Sequence, residues 1–423
     1  TNSTVTAANP RGLPNLTNQF PTTQAPLSAL SGQTLINPNL VNPYYQRWSL
    51  GIQRELPYNI IMDVSYVGSK GTRLYINEDG NPQVRPELRI TPAGFTGSTT
   101  CTPGTAGCLI SGRLDNLQGS RTVRTNGGSS IYHSGQLNVT RRISDFTVTG
   151  SYTWAKLIDN ASEVFAAGGA SSTSLFALPA IFGGDRFERG LSLFDRTHRA
   201  AFTYVYELPF LREQRGLLGR LGGGWQISGV TVFESGVPFT VFNGFDADGI
   251  GGNNDRPNFN PNGQRGVRAV PVVATPTNPG PPGTPLGAII GFVNPDANNA
   301  PIDPSTARYI ANPAFAAGQP GSIPRFGTLG RNTERTPGIT NFDFNILKRT
   351  RIRETTSLEF RAEFYNIFNH PQYGIGSVSP FSPGGGAIGS NLNTTLAGRF
   401  LKPNTPSDDG GGRVVRFQLK LLF

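Results

Sequence analysis

The chain has 423 residues with 53 Gly, 34 Pro and 42 aromatics (27 Phe, 12 Tyr, 3 Trp), only 15% charged residues, and a formal net charge of +10. No run of about 18 apolar residues occurs, which excludes a helical membrane protein, and two cysteines exclude a disulfide-stapled scaffold. Three scattered histidines (His133, His198, His370) leave little for zinc or imidazole catalysis, and so many aromatics beside so much Gly and Pro point to strands joined by long loops rather than to disorder.

Residues 1–43 are rich in Pro, Asn and Thr without a sustained period and read as a loop or linker; 44–423 read as one partial domain. Gln46–Glu55 is a predicted strand with Trp48, Leu50 and Ile52 on one face. A turn at Leu56-Pro57-Tyr58-Asn59 leads into Ile60–Ser69, with Ile60, Met62, Val64 and Tyr66 aligned, so the two form a hairpin. In Ile131–Arg142 the odd positions carry Ile131, Leu137 and Val139 and the even positions Gln136, Asn138 and Thr140. After Ser144-Asp145, Phe146, Val148, Tyr152 and Trp154 alternate with threonines and serines, and a period of two over this length is a strong strand signal. Arg196–Leu208 and Gly224–Ser235 form a third pair, whose connection is long enough for a short helix. Ile339–Arg349 and Thr356–Asn369 form a fourth, and Arg413–Phe423 is a lone ninth strand.

Connections within pairs are short (56–59, 144–145, 209–223, 350–355) and those between pairs are long (70–130, 157–195, 236–338, 370–412). Antiparallel neighbours reverse at every connection, so each kind collects at one end of the sheet. This is the asymmetry of an outer-membrane barrel, with short periplasmic turns and long extracellular loops. A spanning strand needs about 9–11 residues, one side for lipid and the other for the lumen. The polar sides here carry Glu359, Arg361 and Glu363, a self-neutralising triplet, and Arg416, Gln418 and Lys420. Aromatics at strand ends (Tyr44, Tyr45, Trp48, Trp154, Trp225) suit interface girdles. The fold class expected is therefore all-β: an antiparallel up-and-down transmembrane β-barrel, represented by about nine strands as a partial, curved sheet. A soluble β-sandwich would also alternate, but long strands, very long loops of one parity and a polar face without dense Lys and Glu favour the barrel. The chain starts at Thr1 and its single methionine is Met62, which reads as the C-terminal piece of a longer protein. Alone, its two unpaired edge strands predict poor solubility.

Several motifs resemble TonB-dependent outer-membrane transporters, in the Oar-like branch. Phe194-Asp195-Arg196-Thr197-His198-Arg199 runs into a strand as it does there. Gly223-Gly224-Trp225-Gln226-Ile227-Ser228-Gly229 with Gly236-Val237-Pro238-Phe239 resembles the next strand and its exit, and Arg361–His370 resembles the penultimate strand. The resemblance covers roughly 40–423. It implies a barrel of about 22 strands with a plugged lumen, located in the bacterial outer membrane and importing a scarce, unidentified substrate by energised plug movement. Its implied partners are membrane lipid, the barrel-assembly machinery through the last strand (Phe417, Leu419, Leu421, Phe423), and the TonB complex through a plug outside this chain. The alternatives are a small complete outer-membrane pore or anchor, and a secreted adhesin or carbohydrate-binding β-sandwich.

Other chemistry is sparse. Cys101 and Cys108, with six residues between them in the first long loop, would oxidise to each other outside the cell. Asp246, Asp248 and Asp255 offer oxygen ligands at close spacing for Ca²⁺, but Ile250 and Pro257 break the EF-type pattern, so an Asx- and Gly-rich turn with no metal is the plainer reading. Gly222–Gly224 and Gly384–Gly386 lack the strand–helix setting of a phosphate cradle. The Pro-rich stretch 270–285 reads as an extended or mobile surface segment. No nucleophile, acid–base pair or cofactor motif is present, so no enzymatic activity is expected. The 32 Arg and 5 Lys are spread along the chain without a basic block, so no nucleic-acid partner is expected either.

Overall fold

The computed structural model describes residues 33–82, 121–162, 187–244, 246–249, 255–315, 321, 323, 325–353, 355–372, 400–401 and 412–423. In chain order the strands are β1 (Gln33–Ile36), β2 (Tyr44–Leu56), β3 (Ile60–Asp79), β4 (Arg121–Ile143), β5 (Phe146–Asp159), β6 (Gly190–Leu191) and β7 (His198–Glu207). Helix α1 (Gly216–Gly222) follows, then β8 (Trp225–Glu234), β9 (Pro238–Phe239), β10 (Asn258–Phe259), β11 (Gln264–Val273) and β12 (Ile289–Asn294). The remainder are β13 (Ala300–Pro301), β14 (Ala307–Ile310), β15 (Glu334–Arg335), β16 (Ile339–Arg351), β17 (Ser357–Tyr365) and β18 (Val414–Leu422).

All nine predicted strands form, and they lie in one sheet in the order β18-β17-β16-β8-β7-β5-β4-β3-β2, with every neighbouring pair antiparallel. Among the described residues the sheet is open, with β2 and β18 as its two edges. Short turns hold β2 to β3, β4 to β5 and β16 to β17, the connection carrying α1 joins β7 to β8 at the same end, and the long connections join the remaining neighbours at the other end. Pro57, Tyr58 and Asn59 form the three-residue loop between the paired Leu56 and Ile60, and Tyr58 and Asn59 turn the chain with left-handed φ of 68° and 56°.

Cross-strand register sorts the side chains into two faces. Ile52, Val64, Leu137 and Tyr152 fall on one face, continuing through Phe202, Phe344 and Phe364 to Val415. Among the described residues, no second sheet lies against this apolar face: Leu50 is 72% exposed, Ile52 69%, Phe417 67% and Leu419 68%. A sandwich would bury these residues, so the soluble alternative fails and a lipid-facing surface remains. On that face Gly229 stands opposite Tyr204, and a Cβ at 229 would come within 2.3 Å of the tyrosine oxygen. The aromatic ring occupies the glycine's missing volume.

Three features depart from the sequence reading. First, β3 and β4 run for 20 and 23 residues, well past what a bilayer needs. Their register shifts between Thr72 and Leu74 and between Leu74 and Ile76. These irregularities break the alternation that marks the membrane part. Second, Gln33–Ile36, within the segment read as linker, pairs in parallel with Arg121–Arg124 of β4. Third, the long connection from β8 to β16 is folded. It holds a five-stranded sheet in the order β10-β14-β11-β12-β13. Its Pro-rich stretch is a chain reversal rather than an extended segment. Thr275 and Asn278 exchange backbone hydrogen bonds, and Gly287 N donates to Ala274 O. Phe239, Val241, Tyr309, Ala311, Leu329 and Phe400 form the buried apolar cluster of this region.

Candidate functional site

The folded connection is tied to the long-loop end of the sheet by arginines. Asp195, in the turn before β7, is 1% exposed. Its carboxylate accepts from the backbone N–H of Leu157 (2.6 Å), from Thr197 Oγ1 (2.9 Å) and from the Arg335 guanidinium. Arg335 also donates to Thr197 Oγ1 (2.7 Å) and to the carbonyl of Gly236 (2.9 Å). One aspartate thus joins the end of β5, the start of β7 and the far side of the connection. A buried carboxylate is tolerable only when so satisfied.

A second clamp lies beside it. Arg331 pairs with Asp159 and donates to the carbonyls of Asp159 (2.8 Å) and Glu188 (2.7 Å). Glu188 pairs in turn with Arg256 at 3.2 Å, with side chains 5% and 6% exposed. Glu234, at the end of β8, receives Arg196 from the turn before β7 and Arg199 from β7 itself. The planar guanidinium fork suits these multi-acceptor sites in a way a lysine does not. The motif 194–199 thus resolves into structure: Asp195 anchors, Thr197 bridges, Arg196 and Arg199 hold Glu234, and His198 Nδ1 hydrogen-bonds Tyr152 Oη at 2.8 Å. Sequence reasoning singled out the motif but missed Arg331, Arg335 and Arg256. Their partners lie far away in sequence, and no local pattern marks them.

Within the connection, Arg268 is fully buried. It holds Asp296 with Nε at 2.9 Å and Nη2 at 3.2 Å, and stacks 5.1 Å over Phe400. Tyr309 is also fully buried and donates to Glu334; burial and that carboxylate raise its phenol above the usual value. On the polar side of the sheet the expected triplet widens. Glu359 is held by Arg361 and by Arg349 from β16, both at 2.9 Å, and Glu363 lies near Arg361 and near Arg416 of β18.

The structure brings Asp246, Asp248 and Asp255 together, with carboxylate oxygens within 4.8 Å of one another. Asp255 accepts from the backbone N–H groups of Ala247 (2.5 Å) and Asp248 (3.1 Å), and Asp246 from Gly249 (2.6 Å). Burial pushes Asp255 up to about 6, against the pull of those two N–H groups, and the neighbouring Asp246 charge adds to the rise. These bonds are those of an Asx-rich turn. Cys101 and Cys108 lie outside the described residues. Phe417, Leu419 and Leu421 occupy the apolar face of β18, Phe417 stacks on Phe360 with centroids 6.2 Å apart, and Phe423 is 97% exposed.

A sequence profile described as outer membrane beta barrel domain matches residues 1–402. No curated protein matches. Similar solved structures include the outer membrane transporter YddB from Escherichia coli (TM-score 0.38, 9% identity, covering 93% of this chain and 34% of that one) and the copper transporter OprC (0.30, 12%, 90% and 31%). The FpvAI–pyocin S2 complex is another (0.30, 8%, 89% and 26%). The chain spans about a third of the length of these structures or less. With an antiparallel sheet, an unpartnered apolar face and this match over most of its length, the chain belongs to the outer membrane beta barrel domain family of the bacterial outer membrane.

Proposed function

We propose that the chain forms the C-terminal wall and part of the extracellular loop layer of a TonB-dependent transporter of the Oar-like kind, which takes up an unidentified substrate by an energised, non-enzymatic mechanism. The observation that supports this reading most is the arginine-clamped connection. A passive wall needs no folded structure of its own above the rim, whereas a receptor must hold a fixed surface there to recognise a ligand. The motifs at 194–199, 223–239 and 361–370 point the same way. In this reading the plug, and with it the contact to the energising complex, is supplied by sequence outside the chain. The apolar last strand, ending in Phe423, is what the barrel-assembly machinery recognises.

Planar-bilayer recording on the intact parent protein tests this. A plugged transporter shows no steady conductance until the plug is released with denaturant, and it co-purifies with the energising inner-membrane complex only when its N-terminal region is present. Steady conductance of the untreated protein, with no such association, would favour the simple-pore reading.

A further inference from the structure

The two faces of the nine strands differ in where their carboxylates lie: the inward face mixes acids with arginines such as Arg349, Arg361 and Arg416, and the outward face has no acid. Cross-strand register from the short-turn end up to the row Gln46–Lys70–Ile131–Ile158 places every Asp and Glu of the described strands on the inward face, from Asp63 on β3 to Glu363 on β17. The lipid-facing side carries cations only. Arg54, Arg141 and Lys348 sit at the periplasmic end, and Lys70 and Lys156 at the extracellular end. A charge on the outside of a barrel is tolerated near the interface, where it meets headgroups, and is costly at mid-membrane.

One of the extracellular cations, Lys156, borders a cavity together with Arg189. The outward-register residues Tyr66, His133, Trp154, Lys156 and Ile158, with Arg189, line an open space of about 880 Å³ that reaches Thr197 and Arg335 of the clamp at its inner end. Its aromatic part is preorganised. Trp48 Nε1 donates to Tyr66 Oη (3.3 Å), which hydrogen-bonds His133 Nδ1 (2.7 Å). The nearby carboxylates, Asp159, Glu188 and Asp195, are buried and taken up by Arg331, Arg256 and Arg335. Lys156 and Arg189 are exposed and, among the described residues, have no acidic partner.

We propose that this cavity binds a phosphate-bearing lipid of the extracellular leaflet. Lys156 and Arg189 take the headgroup phosphate, Trp154 and Tyr66 sit at the glycerol or sugar level, and the acyl chains run down the apolar face past Val64, Leu137 and Val148. Positive charge alone would attract any anion. The apolar wall continuous with the membrane-facing surface selects an anion that carries acyl chains.

The test is native mass spectrometry of the intact parent protein in neutral detergent, titrated with bis-phosphorylated lipid A, with its dephosphorylated form and with inorganic phosphate. The phosphorylated lipid is expected to stay bound, and the other two are not. A Lys156→Gln, Arg189→Gln double variant should weaken lipid retention by about tenfold or more, while Lys156→Arg retains it and Arg54→Gln, at the other rim, leaves it unchanged. Equal retention of the dephosphorylated lipid by the unaltered protein would overturn the proposal without recourse to any variant. So would wild-type retention by the double variant, or full competition by inorganic phosphate.

Discussion

Trp48 lies over Gly68. The two residues are directly paired across β2 and β3, and a Cβ at position 68 would fall 2.2 Å from the indole nitrogen. The glycine gives the edge strand's tryptophan a seat on the sheet, and from there the ring reaches Tyr66 and, through it, His133. Gly68→Val should therefore unseat the indole and break that chain of bonds. The expected cost is about 1–3 kcal/mol, as for other overpacked sites. It would be read as an earlier urea midpoint of the intact protein in liposomes, with a red-shifted tryptophan spectrum. A variant with the unaltered midpoint and spectrum would show that the seat does not matter.

Asp195→Ala removes the acceptor shared by Leu157 N–H, Thr197 and Arg335. Breaking a buried, charge-paired site by removing one partner costs about 3–5 kcal/mol. Much of that loss falls on the attachment of the β8–β16 connection rather than on the sheet. Trypsin added to intact cells should then cut within 255–315 much faster than in the unaltered protein, while the strands stay resistant. Equal protection in both would mean that Arg331 and Asp159 suffice without Asp195.

Asp255 should make the same connection sensitive to pH. Its folded value, near 6, lies above the ordinary 3.8. Between those values the folded chain holds a proton that the unfolded chain has released. The stability of the protonated state is thus complete below the ordinary value and is lost as pH rises through 6. The difference between pH 7 and pH 4 is about 2 kcal/mol at this site. Protection factors of the backbone amides near Ala247 and Asp248, referred to the intrinsic exchange rate at each pH, should rise on acidification across this window, and Asp255→Asn should abolish the rise. Calcium bridging the three carboxylates would reverse the trend, so protection that increases with pH in the presence of Ca²⁺ alone would revive the metal reading.

Removal of Phe423 should lower the amount of heat-modifiable, folded protein in the outer membrane several-fold, while Lys420→Gln, on the inward face of the same strand, should not. The phenylalanine side chain is almost fully exposed, so its loss disturbs no packing within the chain and reports on recognition during assembly. Unchanged outer-membrane levels would argue against a signal at this end.

The sheet was legible because lipid on one side and water on the other impose a period of two at every step. Trp48, Leu50 and Ile52, or Phe417, Leu419 and Leu421, repeat a decision the environment makes for them. Above the membrane that pressure stops. The outer parts of β3 and β4, past Thr72, carry bulges and no alternation. Strands of 2–4 residues such as β9, β10 and β14 are too short for any period to show. The clamps escaped for another reason. Arg331 meets Asp159 across 172 residues and Arg335 meets Asp195 across 140. An arginine in a loop looks the same on the page whether it is solvated or buried. Only Asp195 stood out, through the motif around it.

The cluster of Phe239, Val241, Tyr309 and Leu329, closed by Phe400 from the β17–β18 connection, gives the β8–β16 connection a foundation apart from the sheet. A cassette founded this way can diversify on its outward skin, residue by residue, under pressure from phages, antibodies or competing ligands, while the wall beneath keeps its register and its fit to the bilayer.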